Sequence, residues 1–439
     1  TAYVSPQPGP NFRIATGVVG QLGTAVNSNN PDATCQPTIK DPGESTAKYY
    51  APPCVADSVM GGTDQWIMHS VNAGTTDAQQ VTFFEELPAV GDSMLVAGTP
   101  RGSTYRPQIL ANSLKVLALD YHGNDITPNS VDVEVSFSGG ACAGTWVAAD
   151  PVPCAAGPWA LADAATDWSQ VRALRVSVQF DPATPLGPAS TLDVTYSTVN
   201  VPEIIDASGV SNGGVPRDAL LATDQLAWEQ YGAVWVDATS PTTTLRRTPP
   251  KIGVALRASA LEVNKAIAGS GAANAPQDFE ALITCKIGWT DANGVSQESD
   301  LTFGGKTTGS LPLSQKTGLT GRIDRIPLGA VCAIAEAGKI GSFGEAARET
   351  TASTITLNQL LDYSGTSLPT TALDPQQVVT LTNIYIQRAA DPDPDPAPTL
   401  PELPITGFSS NWVVILLPLL AIGLLLIIAR RRIANRRQC

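Results

Sequence analysis

Apolar and polar residues alternate with period two over many short stretches of this chain. FRIATGVVG (12–20), DQWIMHSV (64–71), QQVTFFEE (79–86), SLKVLALDYH (113–122), VDVEVSFSG (131–139), VRALRVSVQF (171–180) and TLDVTYSTVNV (191–201) are the clearest in the first part. Residues i and i+2 share one face of a strand, so each stretch predicts a half-buried β-strand. Gly, Pro, Asn and Asp separate them, as turns require. NAGTT (72–76) is one such turn, between the strand marked by Trp66, Met68 and Ser70 and the strand marked by Val81 and Phe83. DALLATDQLAWEQYGAVWV (218–236) breaks the pattern and predicts a short helix followed by a strand. A second series then begins: LEVNKAIAG (261–269), DFEALITCKIGWTD (278–291), DLTFGG (300–305), TGRIDRIPLGAVCAIAEAG (320–338), STITL (353–357) and QVVTLTNIYIQ (377–387). The expectation is an all-β protein of tandem sandwiches. A linker covers 1–10, an elongated β domain 11–256 with a further division near 202, and a second sandwich 257–387.

The C-terminal pattern is of another kind. WVVILLPLLAIGLLLIIA (412–429) carries no charge. As a helix it reaches ~27 Å, enough for a hydrocarbon core. Pro418 kinks such a helix without forbidding it. Arg430, Arg431, Arg432, Arg436 and Arg437 follow in a basic tail, 430–439, and place that end inside the cell and everything upstream outside. Just before the span stands LPITG: Leu403, Pro404, Ile405, Thr406 and Gly407. A pentapeptide of the form Leu-Pro-any-Thr-Gly, an apolar span and an Arg-rich tail together resemble the cell-wall sorting signal of Gram-positive surface proteins. The resemblance implies two partners. One is a sortase transpeptidase, whose thiolate attacks the Thr406 carbonyl and cleaves before Gly407. The other is peptidoglycan, or another pilin, which takes the acyl group through an amine. Pro404 presets the bend that such a groove accepts. The membrane stage is transient on this reading.

The segment RAADPDPDPAPTLPE (388–402) favours extended polyproline geometry, a semi-rigid wall linker of ~45 Å. Each of its early aspartates is followed by proline and no glycine turn is present, so calcium is not expected. Export requires a signal peptide. The chain starts at Thr1 without one, which predicts either a processed protein or, preferably, the C-terminal piece of a longer one.

Charge and cysteine usage fit that compartment. Net charge is −13, and setting aside the five arginines of the tail leaves −18 for the exported part. So acidic a surface argues against nucleic acid as a partner. Cys439 lies in the basic tail. The other six cysteines fall into near pairs, Cys35 with Cys54, Cys142 with Cys154 and Cys285 with Cys332, and predict disulfides rather than a metal centre. Close Cys-x-x-Cys spacing and supporting histidines are both missing.

Two further resemblances bear on the folded part. Asn72, Gly74, Thr75, Val81, Thr82, Leu87 and Pro88 match an extracellular bacterial repeat of the DUF11-like kind, with Trp66 where tyrosine is usual and Glu85–Glu86 in the acidic region. Such repeats are immunoglobulin-like sandwiches of stalks and adhesins. Lys265, Cys285, Cys332, Glu336 and Asn383 match the Cna B-type and pilin-type sandwich domains, in a cysteine-bearing, DUF5979-like variant. That resemblance implies an intramolecular isopeptide bond with Lys265 as nucleophile, Asn383 as electrophile and Glu336 as the acid that promotes it. The residue types suit the reaction. A buried amine loses its proton more readily, and a buried carboxyl keeps one to polarise the amide and shuttle protons. Strands that hold the pair in contact remove a large entropic barrier. The first domain offers no equivalent pair, because its opening strand lacks lysine and LAWEQYGAVWV lacks asparagine.

Catalytic turnover is not expected. His69 and His122 are the only histidines, and neither has a sequence partner at triad or ligand spacing. There is no phosphate-binding loop or nucleophile elbow, and no cofactor is implied. The expectation is a wall-anchored stalk or adhesin region that displays or mediates adhesion to a host or bacterial surface ligand whose identity is not legible. The alternative is a pilin, for which Lys251 in TPPKIGV is the nearest candidate donor lysine. A wall-anchored enzyme whose catalytic domain lies outside this sequence is the third reading.

Overall fold

The computed structural model describes residues 9–30, 32–95, 98–140, 158–203, 213–218, 225–240, 242, 244–358 and 377–387. Among these the regular elements are β-strands and single turns of 3-10 helix. Cys142–Cys154, the linker 388–402, LPITG, the apolar span and the basic tail lie outside the described residues. No described helix is long and apolar enough to cross a membrane.

Strands before residue 257 form three main sheets. The first runs Phe12–Val19, Thr63–Asn72, Thr191–Val199, Lys115–Leu119, Asp125–Ile126. The second runs Ala160–Leu161, Ser130–Ser136, Ala173–Gln179, Ala78–Glu86, Tyr231–Asp237, Thr244–Arg247. The third runs Gln225–Glu229, Ile252–Leu256, Cys54–Ser58, Ala25–Asn27. Strands from both sides of position 202 therefore share a sheet. Along Thr63–Asn72 the residues Asp64, Trp66, Met68, Ser70 and Asn72 are all buried on one face, as the alternation predicts. Trp66, Phe83, Tyr196 and Tyr231 fill the space between sheets, and Phe12 stacks on Trp235 with ring centres 5.1 Å apart.

NAGTT does not close a hairpin. It carries the chain from the first sheet to the second, since Thr63–Asn72 and Ala78–Glu86 have different ladder partners. Asn72 holds this crossing. Its Nδ2 donates to the carbonyls of Thr76 and Leu186, both at 2.9 Å, and its Oδ1 accepts from Gly74 N at 3.0 Å.

One element expectation lies outside the described residues and another needs correction. Where a short helix and then a strand were expected, residues 219–224 lie outside the described residues, and the strand Gln225–Glu229 passes through Gln230 into Tyr231–Asp237 in a different sheet. In DLTFGG the ladder of Ser296–Asp300 stops at Asp300, and Gly304 and Gly305 turn the chain with positive φ.

After residue 257 two sheets face each other. One is Thr320–Pro327, Ala258–Ala268, Val378–Tyr385, Glu345–Thr350; the other is Ser296–Asp300, Asp278–Thr290, Val331–Glu336, Thr354–Thr356, with Gly309–Ser314 also on Asp278–Thr290. Among the described residues no β-ladder pairs strands across residue 257. Inner positions alternate strictly in Asp278–Thr290 and Val378–Tyr385. Only Arg257 separates Ile252–Leu256 from Ala258–Ala268. Its buried guanidinium donates to Asp57 at 2.7 Å, and Asp57 also accepts from Thr24 at 2.6 Å. Cys35–Cys54 and Cys285–Cys332 are disulfides, the second between residues directly opposed in adjacent strands.

Candidate cross-link site

The first and last strands of the second sandwich, Ala258–Ala268 and Val378–Tyr385, are parallel neighbours, with Lys265 opposite Leu381 and Ile267 opposite Asn383. Period-two alternation aims Val263 and Lys265 inward from one strand, and Leu381, Asn383 and Tyr385 inward from the other. Glu336 ends Val331–Glu336 on the facing sheet. Three residues far apart in sequence thus meet between the layers.

The contact is close. Lys265 Nζ donates to Asn383 Oδ1 and, at 2.7 Å, to Glu336 Oε2. Asn383 Nδ2 donates to Glu336 Oε1 at 2.8 Å. One carboxylate therefore holds the amine with one oxygen and the amide nitrogen with the other. The Lys265 side chain is 0% exposed and that of Glu336 6%. Lys265 Nζ also lies 4.9 Å from the Phe279 ring centre. Burial pulls the Lys265 amine below its ordinary value, while Glu336 opposes that shift.

Two contributors lay outside the sequence expectation. Arg348 stands opposite Asn383 in the neighbouring ladder, with Nη2 3.8 Å from Glu336 Oε1. It is anchored by Glu345 at 2.9 Å and donates to the carbonyls of Glu336, Ala337, Gly338 and Lys339. Tyr385 OH lies 3.4 Å from Asn383 Nδ2. Tyr385 was legible, since it shares a face with Asn383 two residues on. Arg348 was not, because its approach depends on a ladder that the sequence does not specify. An open cleft of about 420 Å³, lined by Phe279, Glu336, Glu345, Arg348 and Tyr385 among others, leads from Glu336 to solvent.

Chemically, the arrangement suits transfer of an acyl group from the carboxamide to the amine. Among the described residues no cluster of His, Cys, Asp and Glu could hold a metal ion. His69 has a partner that sequence spacing missed: Asp193 stands opposite it in the ladder, with Nδ1 2.5 Å from Oδ1. Lys251 is half-buried, its Nζ on the Arg101 carbonyl and 4.2 Å from the Trp228 ring centre.

Residues 261–386 match the family described as a domain of unknown function, DUF5979. That match takes in Lys265, Glu336 and Asn383. None of the curated proteins matches the chain. Similar solved structures include BcpA, the major pilin subunit of Bacillus cereus, with 10% identity and TM-score 0.34 over 86% of this chain and 70% of that one. The full-length major pilin SpaD of Corynebacterium diphtheriae has 10% identity and TM-score 0.30, over 85% and 65%. The collagen-binding subdomain of the Enterococcus faecalis surface protein ACE has 9% identity and TM-score 0.21, over 44% and 86%. All three are remote likenesses.

Proposed function

We propose that this protein is a mechanical tether on the Gram-positive cell surface: a stalk or adhesin region, exported, covalently anchored to peptidoglycan by sortase through Thr406, and internally welded between Lys265 and Asn383. The observation that carries the reading is the buried Lys265 amine held jointly against the Asn383 carboxamide and the Glu336 carboxylate. In the proposed step Glu336 takes a proton from Lys265 Nζ. The freed amine attacks Asn383 Cγ, and a C–N bond forms. The bond from Cγ to Nδ2 breaks as Glu336 passes the proton to the leaving nitrogen; Glu336 then takes the surplus proton from the new amide nitrogen and hands it to the departing ammonia, which leaves through the cleft as ammonium. The step occurs once, so it is maturation and not turnover.

Lys265–Asn383 closes a loop of 119 residues, counting 265 through 383. It also joins the strand by which the chain enters the sandwich to the strand by which it leaves, so tension bypasses everything between. Against the pilin alternative stands Lys251, whose ammonium is occupied by a backbone carbonyl and an aromatic face.

The test is the mass of the intact, reduced chain, with tandem mass spectrometry of its digest. The expected result is a deficit of ~17 Da, the ammonia lost in forming the amide, carried by a branched peptide joining Lys265 to Asn383. An unshifted mass leaves an ordinary disulfide-braced sandwich. Anchoring is tested separately: release of the protein from cells by detergent alone, with its arginine tail intact, rules out the wall attachment.

A further inference from the structure

The three sheets of the first region meet at a buried acidic pair. Glu85 comes from Ala78–Glu86 in the second sheet and Glu229 from Gln225–Glu229 in the third. They are 0% and 1% exposed. From the first sheet, Thr16 Oγ1 donates to Glu229 Oε2 at 2.7 Å, and Tyr196 packs against Glu85. Tyr231 stands opposite Glu85 in the second sheet, but its hydroxyl is spent on the backbone carbonyls of Ala15 and His69, at 3.0 and 2.9 Å. Among the described residues, no hydrogen bond of ordinary length reaches either oxygen of Glu85 or the second oxygen of Glu229, and the Tyr196 hydroxyl beside Glu85 makes none either.

The surrounding charges do not neutralise the pair. Among the described residues, Arg101 is the cation that faces it. That guanidinium is already paired with Asp92 at 3.1 Å and donates to the carbonyls of Glu86 and Leu87. Asp193, behind Tyr231, is another acid and is engaged by His69. Two ionised carboxylates in this setting would lack solvation, and the Thr16 hydroxyl on Glu229 and the Tyr196 hydroxyl beside Glu85 are neutral donors that do not replace it.

We propose that Glu85 and Glu229 share a proton, and that this shared proton fastens the joint between the three sheets, so that the region tightens in acid and loosens as the surroundings turn alkaline. A carboxyl that keeps its proton supplies the missing donor, and the neighbouring carboxylate supplies the acceptor. Burial and mutual repulsion raise Glu85 well above its ordinary 4.5, and burial raises Glu229 in the same direction. The sign follows. Unfolded, both groups ionise near 4.5, so folding carries no penalty below that pH. The penalty grows as pH rises above it and levels off above the folded values.

The test compares the full-length wild type with Glu85→Gln and Glu229→Gln. Hydrogen exchange across 78–86 and 225–237 and thermal unfolding are followed from about pH 5 to about pH 8. A glutamine amide donates permanently what the shared proton donates conditionally. In the wild type, protection of both segments and the unfolding midpoint should fall as pH rises. In Glu85→Gln the fall should be less than half as large, with the variant the more stable protein at the alkaline end. Parallel profiles for wild type and variant overturn the proposal. Infrared spectroscopy of the wild type keeps it testable should a variant fail to fold: a buried protonated carboxyl band at neutral pH is expected, and its absence overturns the proposal equally.

Discussion

Lys265 and Asn383 are offset by two residues across a parallel ladder, Lys265 facing Leu381 and Asn383 facing Ile267. A diagonal of this kind is within reach of a long side chain and beyond a short one. The lysine amine spans it and arrives on the carboxamide. If the amide bond forms there, Asn383→Ala and Lys265→Ala should each abolish the mass deficit. By chain entropy, a cross-link of this loop length contributes ~4–5 kcal/mol, so either variant should unfold at a clearly lower temperature and become protease-sensitive. Lys265→Ala should be the worse, because it also leaves Glu336 buried beside the site without its ammonium. Calorimetry alongside intact mass checks both points.

Glu336 is the second lever. Its two oxygens contact the amine and the amide nitrogen separately, so it is placed to move the proton from one to the other. Glu336→Ala should leave Lys265 and Asn383 unjoined in freshly purified protein, with no deficit by mass. A normal deficit in that variant would remove the acid from the mechanism.

The junction at Arg257 predicts a mechanical phenotype. Asp57 holds the guanidinium of the one residue between Ile252–Leu256 and Ala258–Ala268. Asp57→Ala takes the acid from a buried cation and should cost ~3–5 kcal/mol. Limited proteolysis should then cut near 257, where the wild type resists.

Asn72 predicts a local one. Three hydrogen bonds hold the crossing from the first sheet to the second. Asn72→Ala leaves two carbonyls and one amide without them, for a loss of ~1–3 kcal/mol by thermal or denaturant unfolding. A change within experimental error would mean that the crossing is held by packing alone.

Asp64 gives a pH dependence that is independent of the Glu85–Glu229 pair. Burial raises it from 3.8 to about 6, although Asn200 and the Gln21 amide donate to it. A raised carboxyl works against folding once the unfolded chain ionises. Stability should therefore decline as pH climbs from about 4 towards about 6, by ~3 kcal/mol, and change little from this group above that. Carboxyl-carbon NMR should find the Asp64 midpoint near 6, and a midpoint near 4 would contradict it.

The strands were largely legible, because alternation is written locally: Trp66, Met68 and Ser70, or Val379, Leu381 and Asn383, each name a buried face from their spacing alone. The second part of the chain also carried Lys265, Glu336 and Asn383 at positions that a resemblance could match. The pairing of Gln225–Glu229 with the distant strand Ile252–Leu256 was not legible, because packing across the chain chooses ladder partners.

From its sequence alone the chain determined that it would be built of strands, which side of most strands would be buried, and which three residues to watch. Tertiary structure decided which strands became neighbours. That choice brought Lys265 onto Asn383, set Arg348 beside Glu336, and placed Glu85 with Glu229 where three sheets converge. The physical reason is range: side-chain alternation acts between residues two apart, whereas these meetings join residues 118, 12 and 144 positions apart, counted along the chain, and rest on ladder register and layer packing that no local pattern encodes.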